Sequence, residues 1–258
     1  MIRCVTAIAM WLLTCAQVQA QTHITIEASG SVHAPGLHVL PARARLSAAA
    51  DTARPTTDAY HLGAALLRHR ELPEQARHKA GLMFDLGLLS TGGSDMPALA
   101  EAADQLIEIL SPMPVTGRVM QLLEPRTLEA NRTQDYPAST GDHLFYPSRP
   151  TTVTVTGAVR NACKLPHVPL QTPAAYRQQC PLLRAASRDY LHVIQPDGSI
   201  ERLGIALWNR SPRSTLAPGA LIYVPLDDSL SPTVAPNVND AAAKFLATQV
   251  LGASGVQP

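Results

Sequence analysis

One pattern occurs twice in this chain, and it constrains the fold more than any other feature. A strand-like run ending in Gly30-Ser31-Val32 is answered far downstream by Gly141-Asp142-His143-Leu144-Phe145-Tyr146-Pro147. A second run ending in Gly157-Ala158-Val159 is answered by Gly219-Ala220-Leu221-Ile222-Tyr223-Val224-Pro225. Each copy opens on alternating β-branched residues and closes on a Gly turn that feeds an aliphatic and aromatic strand stopped by Pro. Two related β-rich modules are expected, and with them a recognition or scaffold protein before an enzyme.

The interior of each copy supports this. His23-Ile24-Thr25-Ile26 alternates, turns at Pro35-Gly36 and returns as Leu37-His38-Val39-Leu40, a hairpin. In the second copy Thr152-Val153-Thr154-Val155 leads through Asn161-Ala162-Cys163 toward Val168-Pro169-Leu170. A helix is expected after each hairpin; in the second copy Thr172 caps it, Pro173 opens it and Pro181 interrupts it. Tyr190 to Ile194, a Pro196-Asp197-Gly198 turn and Ser199 to Leu203 then predict a second hairpin, with Leu221 to Val224 as the last strand. Strand, strand, helix, strand, strand is the order of a β-grasp module, so the expected class is α+β with two tandem β-grasp domains.

Gly30 and Gly141 stand 111 positions apart but Gly157 and Gly219 only 62, so the first copy holds 49 extra residues. They read as a helical insertion over about 56–111. Asp58 can cap a segment with Leu62, Leu66 and Leu67, and Pro73 opens one with Ala76, Ala80 and Met83. Pro97 opens a third with Leu99, Ala103, Leu106, Ile107 and Leu110 on one face. The expected domains are 21–150, 151–228 and a tail, 229–258, of linker and amphipathic helix. That helix is expected from Asn239 through Leu251, with Ala242, Phe245, Leu246 and Val250 sharing a face. At about 1.5 Å per residue it spans roughly 18 Å, short of the ~30 Å of a bilayer core. Its face can dock on its own module, lie on a partner or a membrane surface, or join a helical ring.

Arg3, the apolar run Val5 to Leu13 and the small residues of Val18-Gln19-Ala20 predict a secretory leader over 1–20, cleaved after Ala20, and hence a periplasmic protein. A lipidated Cys15 is the alternative, although Leu12-Leu13-Thr14 lacks the small residue usual before such a Cys. Removing the leader leaves Cys163 and Cys180 in an oxidising compartment, where a disulfide is expected, with two separate thiols as the alternative. Two Cys without a second pair do not make a zinc pattern.

The whole chain balances 21 basic against 20 acidic residues, which gives no electrostatic footprint for nucleic acid. Lys occurs only at 79, 164 and 244, so the positive charge is almost all Arg, whose planar fork suits carboxylate, phosphate and sugar-acid groups; a GC-rich genome explains the same bias. No nucleophile elbow, metalloprotease helix or phosphate loop is present, and Ser94 or Asp95 before Pro97 reads as a helix cap. No catalytic residue, metal or cofactor is assigned. Two places could hold a ligand. Arg118, in Thr116-Gly117-Arg118-Val119, re-enters the sheet at a seam, where pockets form, or else satisfies loop carbonyls. Trp208, Asn209 and Arg210 place an indole beside an amide and a guanidinium, suited to sugar stacking, or else Trp208 anchors a core. Asp142 and Glu124 could pair in space as catalytic carboxylates, a possibility invisible in sequence.

Taken together, Thr116 to Val119, Gly141 to Leu144 through Arg149-Pro150, Val153 to Val159, Pro196 to Gly198 through Trp208-Asn209, and Pro218-Gly219 resemble the GfcC family of capsule-biosynthesis proteins. That resemblance implies two β-grasp domains related to the soluble-ligand-binding modules (SLBB) of polysaccharide export proteins, a helical insertion and a C-terminal amphipathic helix. It further implies a non-enzymatic periplasmic role in assembling or exporting capsular or exopolysaccharide, with polysaccharide or an outer-membrane export protein as partner. Without a convincing lipid-anchor Cys, and with little aromatic character in the last helix, a pore-forming role is not expected. The Cys163 and Cys180 pair lies outside the resemblance.

Overall fold

A computed structural model describes residues 22–92, 96–230 and 234–252; the expected leader, Cys15, Ser94 and Asp95 lie outside them. The class is α+β, with two five-stranded sheets. The first contains β1 (His23–Gly30), β2 (Gly36–Pro41), β3 (Ala65–Leu67), β4 (Arg118–Val119) and β5 (His143–Tyr146), in the order β2-β1-β5-β3-β4. The second contains β6 (Thr152–Gly157), β7 (Cys163–Pro166), β8 (Tyr190–Ile194), β9 (Ile200–Gly204) and β10 (Leu221–Val224), in the order β7-β6-β10-β8-β9. In both, the first strand pairs parallel with the last and every other neighbour is antiparallel.

The duplication extends to single hydrogen bonds. Gly141 N donates to Thr25 O and Gly219 N to Thr152 O, both at 2.8 Å. Ser31 N reaches Tyr146 O at 2.7 Å as Ala158 N reaches Val224 O at 2.8 Å. The isolated bridge Val32 to Pro55 matches Val159 to Leu182, and Ala59 to Ser148 matches Ala186 to Leu226. Gly30 and Gly157 sit at φ +85° and +100° because the last strand's carbonyl crosses where a Cβ would stand, 2.1 Å from Tyr146 O and 2.3 Å from Val224 O.

Each sheet buries one face under a helix. Ile24, Ile26 and Ala28 of β1 meet Leu46, Ala49, Ala50 and Ala53 of α1 (Leu46–Ala53). The Asp135 carboxylate serves as an external cap there, accepting from Ser47 N at 2.9 Å and Ser47 Oγ at 2.8 Å. In the second repeat α5 (Pro173–Arg177) is shorter, capped by Thr172 as expected, and buries Tyr176. The second expected hairpin strand ends at Pro166, and 168–170 is not strand: Leu170 has φ +63° and is exposed.

Nearly all of the extra residues of the first repeat fall at one place. Arg68 N donates to Gly117 O as Gln195 N donates to Ser199 O, both at 2.9 Å. Residues 69–116 therefore stand where the second repeat has the turn 196–198. They form the antiparallel pair α2 (Leu72–Thr91) and α3 (Pro97–Leu110). The expected helical span of about 56–111 is too wide at its start, because Ala65–Leu67 is β3, the third strand of the first sheet. Ala64 to Leu67 are all buried, and a short apolar run of this kind has no periodicity to separate strand from helix. On α3 the buried face is close to the expected one, Leu99, Ala102, Ala103, Leu106 and Leu110. On α2 it is Leu82, Leu86 and Leu89, while Ala76 and Ala80 are exposed.

This helical pair leaves the first repeat and packs into the core of the second. Leu82, Leu86, Leu99 and Leu106 belong to the same buried cluster as Val153, Leu191 and Ile222, whereas α1 and the first sheet form a separate core. Gln105 Nε2 on α3 donates to the carbonyls of Val159 and Arg160. The last helix, α6 (Val238–Ala247), lies between α2 and the second sheet, with His78 Nε2 3.0 Å from Ala241 O and the Lys79 ammonium 5.5 Å from the Phe245 ring centroid. It ends short of the expected Leu251, and Asn239 is not its cap. The buried Asn239 amide donates to Leu226 O at 2.9 Å and accepts from Leu226 N at 2.8 Å, which ties the helix to the end of β10. Ala242, Phe245 and Leu246 are buried within the chain. Among the described residues no helix is long and apolar enough to cross a membrane.

Candidate functional site

The surface most suited to recognition is made by β8, β9 and the loop that follows. Gly204, at the end of β9, lets the loop fold back against the strand: a Cβ there would stand 2.0 Å from Asn209 O. Asn209 holds the fold-back, its Oδ1 accepting from Ala206 N at 3.0 Å and its Nδ2 donating to Asp189 O at 3.1 Å. The two residues at the crown of this tight turn face outward. Leu207 is 88% and Trp208 71% exposed.

Trp208 does not stand alone. Its ring meets Tyr190 of β8 edge-on, with centroids 6.2 Å apart, and the Arg202 guanidinium of β9 lies 3.9 Å from the Tyr190 centroid. A cation on an aromatic face and an edge-on aromatic pair are each worth about 0.5–1.5 kcal/mol, enough to hold the three groups in order. Arg202 Nη2 is held from behind by Asp228 Oδ2 at 2.8 Å. The result is an outward indole braced by a stacked base. Arg210 lies beyond it, lining a groove of about 380 Å³ between α5 and residues 203–214.

The four residues singled out in the sequence thus separate. Trp208 is exposed, which removes its alternative reading as a core anchor; Arg210 is exposed beside it; and Asn209 builds the turn. Arg118 is elsewhere. It does lie at the seam, but only 6% exposed, with Nη1 donating to Gln249 O at 2.8 Å and Ala247 O at 3.3 Å and Nη2 donating to Pro196 O. Burial lowers its pKa to about 10, with Asp197 opposing the shift. Engaged with three carbonyls of the second repeat and the segment after α6, Arg118 is a clasp, the structural alternative of its sequence reading.

Two further charged groups complete the account. Arg68 forms a buried fork on Asp142, Nε to Oδ1 at 2.8 Å and Nη2 to Oδ2 at 2.9 Å, an ion pair unreadable from residues 74 positions apart. Asp142 is occupied there, and Glu124 caps α4 (Pro125–Ala130) by accepting from Thr127 N at 2.8 Å, so the two carboxylates do not form a catalytic pair. Cys163 and Cys180 are bonded, joining β7 to the residues after α5. A closed loop of this length constrains the unfolded chain by roughly 3 kcal/mol. Tyr190 and Arg202 were not singled out by sequence reasoning; the signal was the hairpin itself, which places the start of β8 beside the end of β9.

These observations define a duplicated α+β protein whose second repeat carries an exposed aromatic platform. Residues 161–251, which include the Trp208 platform, the disulfide and α6, match the family described as capsule biosynthesis GfcC C-terminal. The chain is thus similar to the GfcC family over part of its length. It is 32% identical over 143 residues to the uncharacterized protein YjbG of Escherichia coli (strain K12), an alignment covering 55% of this chain and 58% of that relative's length.

Proposed function

We propose that this protein is a non-enzymatic accessory of capsular or exopolysaccharide assembly or export, exported to the periplasm, that binds glycan through the Trp208 platform. The match of residues 161–251 to a capsule-biosynthesis family supports the pathway. The sheet order, with its parallel first and last strands and crossing helix, supports reading both repeats as β-grasp modules of the soluble-ligand-binding (SLBB) type. The single observation that carries the binding role is the exposed indole braced by Tyr190 and Arg202. An indole left in water exposes a large apolar face, and the C–H face of a pyranose is a natural cover for it. An export-complex partner would meet the same surface, because the apolar face of α6 is covered by α2 and the second sheet.

Tryptophan fluorescence tests this directly. The sequence has two tryptophans, Trp11 within the expected leader and Trp208, so the mature chain reports from Trp208 alone. Titrating capsular and exopolysaccharide fragments should quench or shift that emission, and Trp208→Ala should remove the binding seen by calorimetry. Binding that survives Trp208→Ala unchanged would refute the platform, and no glycan binding at all would refute the role.

A further inference from the structure

We propose that the groove beside the platform takes the carboxylate of an acidic sugar, so that the ligand is an anionic, uronic-acid-bearing glycan; this rests on the glycan reading above and names its class. The groove runs between α5 and residues 203–214, and at about 380 Å³ lies at the small end of ligand pockets, roughly the room for one or two sugar rings. Its polar lining is Thr172, Gln178, Arg210, Ser211, Arg213 and Ser214, and among the described residues no Asp or Glu lines it.

The two arginines set the sign. Arg210 and Arg213 are both exposed, and neither makes a hydrogen bond or ion pair with the described residues. Other arginines of the same chain do: Arg68 is forked on Asp142, Arg202 meets Asp228, and Arg118 is engaged with carbonyls. The nearby carboxylate, Glu201, accepts from the Ser214 hydroxyl at 2.7 Å and pairs with neither arginine. Two guanidinium forks three positions apart, with the Ser211 hydroxyl between, therefore line one groove with their donors unspent. A planar fork fits a carboxylate in a bidentate way that a point charge does not. With a formal net charge of only +1, this is a local device and not a general attraction for polyanions. The indole would stack one ring and the groove would hold the acid group of that ring or the next, two separable determinants on one surface.

Calorimetry with uronic-acid oligomers (galacturonate, glucuronate and mannuronate), each paired with its methyl ester, tests this on the mature full chain. The ester keeps the ring and removes the charge. Wild type should bind at least one acid form about tenfold or more tightly than its ester, with the difference shrinking as salt rises. The Arg210→Gln/Arg213→Gln double variant should bind acid and ester alike at the ester's affinity, while Trp208→Ala weakens both forms. All three side chains are exposed, so an unchanged thermal unfolding curve confirms the variants are folded. Equal binding of acid and ester by wild type overturns the acid assignment and leaves the glycan reading standing; binding of neither removes both. Displacement by inorganic phosphate as effective as by the monomeric uronate would assign the groove to phosphoryl groups, and equal binding of polyglutamate would assign it to an acidic protein segment; either overturns the sugar-acid proposal.

Discussion

Gly30 and Gly157 carry the same demand in two places, and they make the duplication measurable one residue at a time. Each combines a left-handed φ with a carbonyl where a Cβ would go, so Ala at either position should cost about 3 kcal/mol or more, by matching amounts in denaturant unfolding. Gly36 and Gly141 share the positive φ but have open space around them, and Ala there should cost only about 1 kcal/mol. His192 sets a second residue-scale expectation. It is 3% exposed under α6, stacks near Tyr223 and faces Asp240 with Nε2 to Oδ1 at 3.3 Å. Desolvation lowers its pKa, as does Arg202, while Asp240 and Asp228 oppose the shift, and the net direction is downward from 6.5. The unfolded chain then binds the proton more readily than the folded one. The stability it contributes is full above about pH 6.5, falls as pH drops below that, and levels off below the folded pKa. His192→Gln should flatten that part of a stability-versus-pH curve; an unchanged slope would assign it to other groups.

Among the elements, those with a clear local signature were readable and those decided by distant contacts were not. The hairpins β1-β2 and β8-β9, the Thr172 cap and the apolar face of α3 follow from alternation, turn residues and a 3.6-residue stripe. β3 escaped because Ala65 to Leu67 are buried on both sides, and α6 was displaced by a few residues because Asn239 looks like a cap until β10 is placed beside it. The site divided in the same way. Trp208 and Arg210 were visible as a motif, but the exposure of Trp208 depends on Gly204 admitting the Asn209 backbone, a contact between loop and strand. Arg118 looked equally suitable, and its role follows from three carbonyls between 78 and 131 positions away. These carbonyls join β4, the turn 196–198 and the segment after α6. Arg118→Met should therefore cost about 2–4 kcal/mol, by leaving buried acceptors unpaired, and should raise hydrogen exchange at Thr248 and Gln249. Arg118→Lys should restore little of it, since an ammonium lacks the planar reach of the fork.

At the scale of the whole molecule, the two repeats have separate sheets but not separate stability. The core of the second includes Leu82, Leu86, Leu99 and Leu106 from α2 and α3, which belong in sequence to the first. Urea unfolding should therefore be one transition by circular dichroism and by hydrogen exchange in both sheets. A fragment beginning at residue 151, though it contains all of the second sheet, should be strongly destabilised, because it leaves that apolar surface uncovered. Two well-separated transitions, or a fragment as stable as the parent, would show that the helical pair contributes little.

The place where α2 and α3 enter gives the duplication a direction. A tandem copy ordinarily leaves either half free to be lost or to drift. Here a long arm stands where the sister unit has a tight turn, and because that arm supplies part of the sister's interior, deleting the first half would strip the second. The first half carries a brace for its neighbour in place of a turn, and the second keeps the short turn and the outward-facing indole.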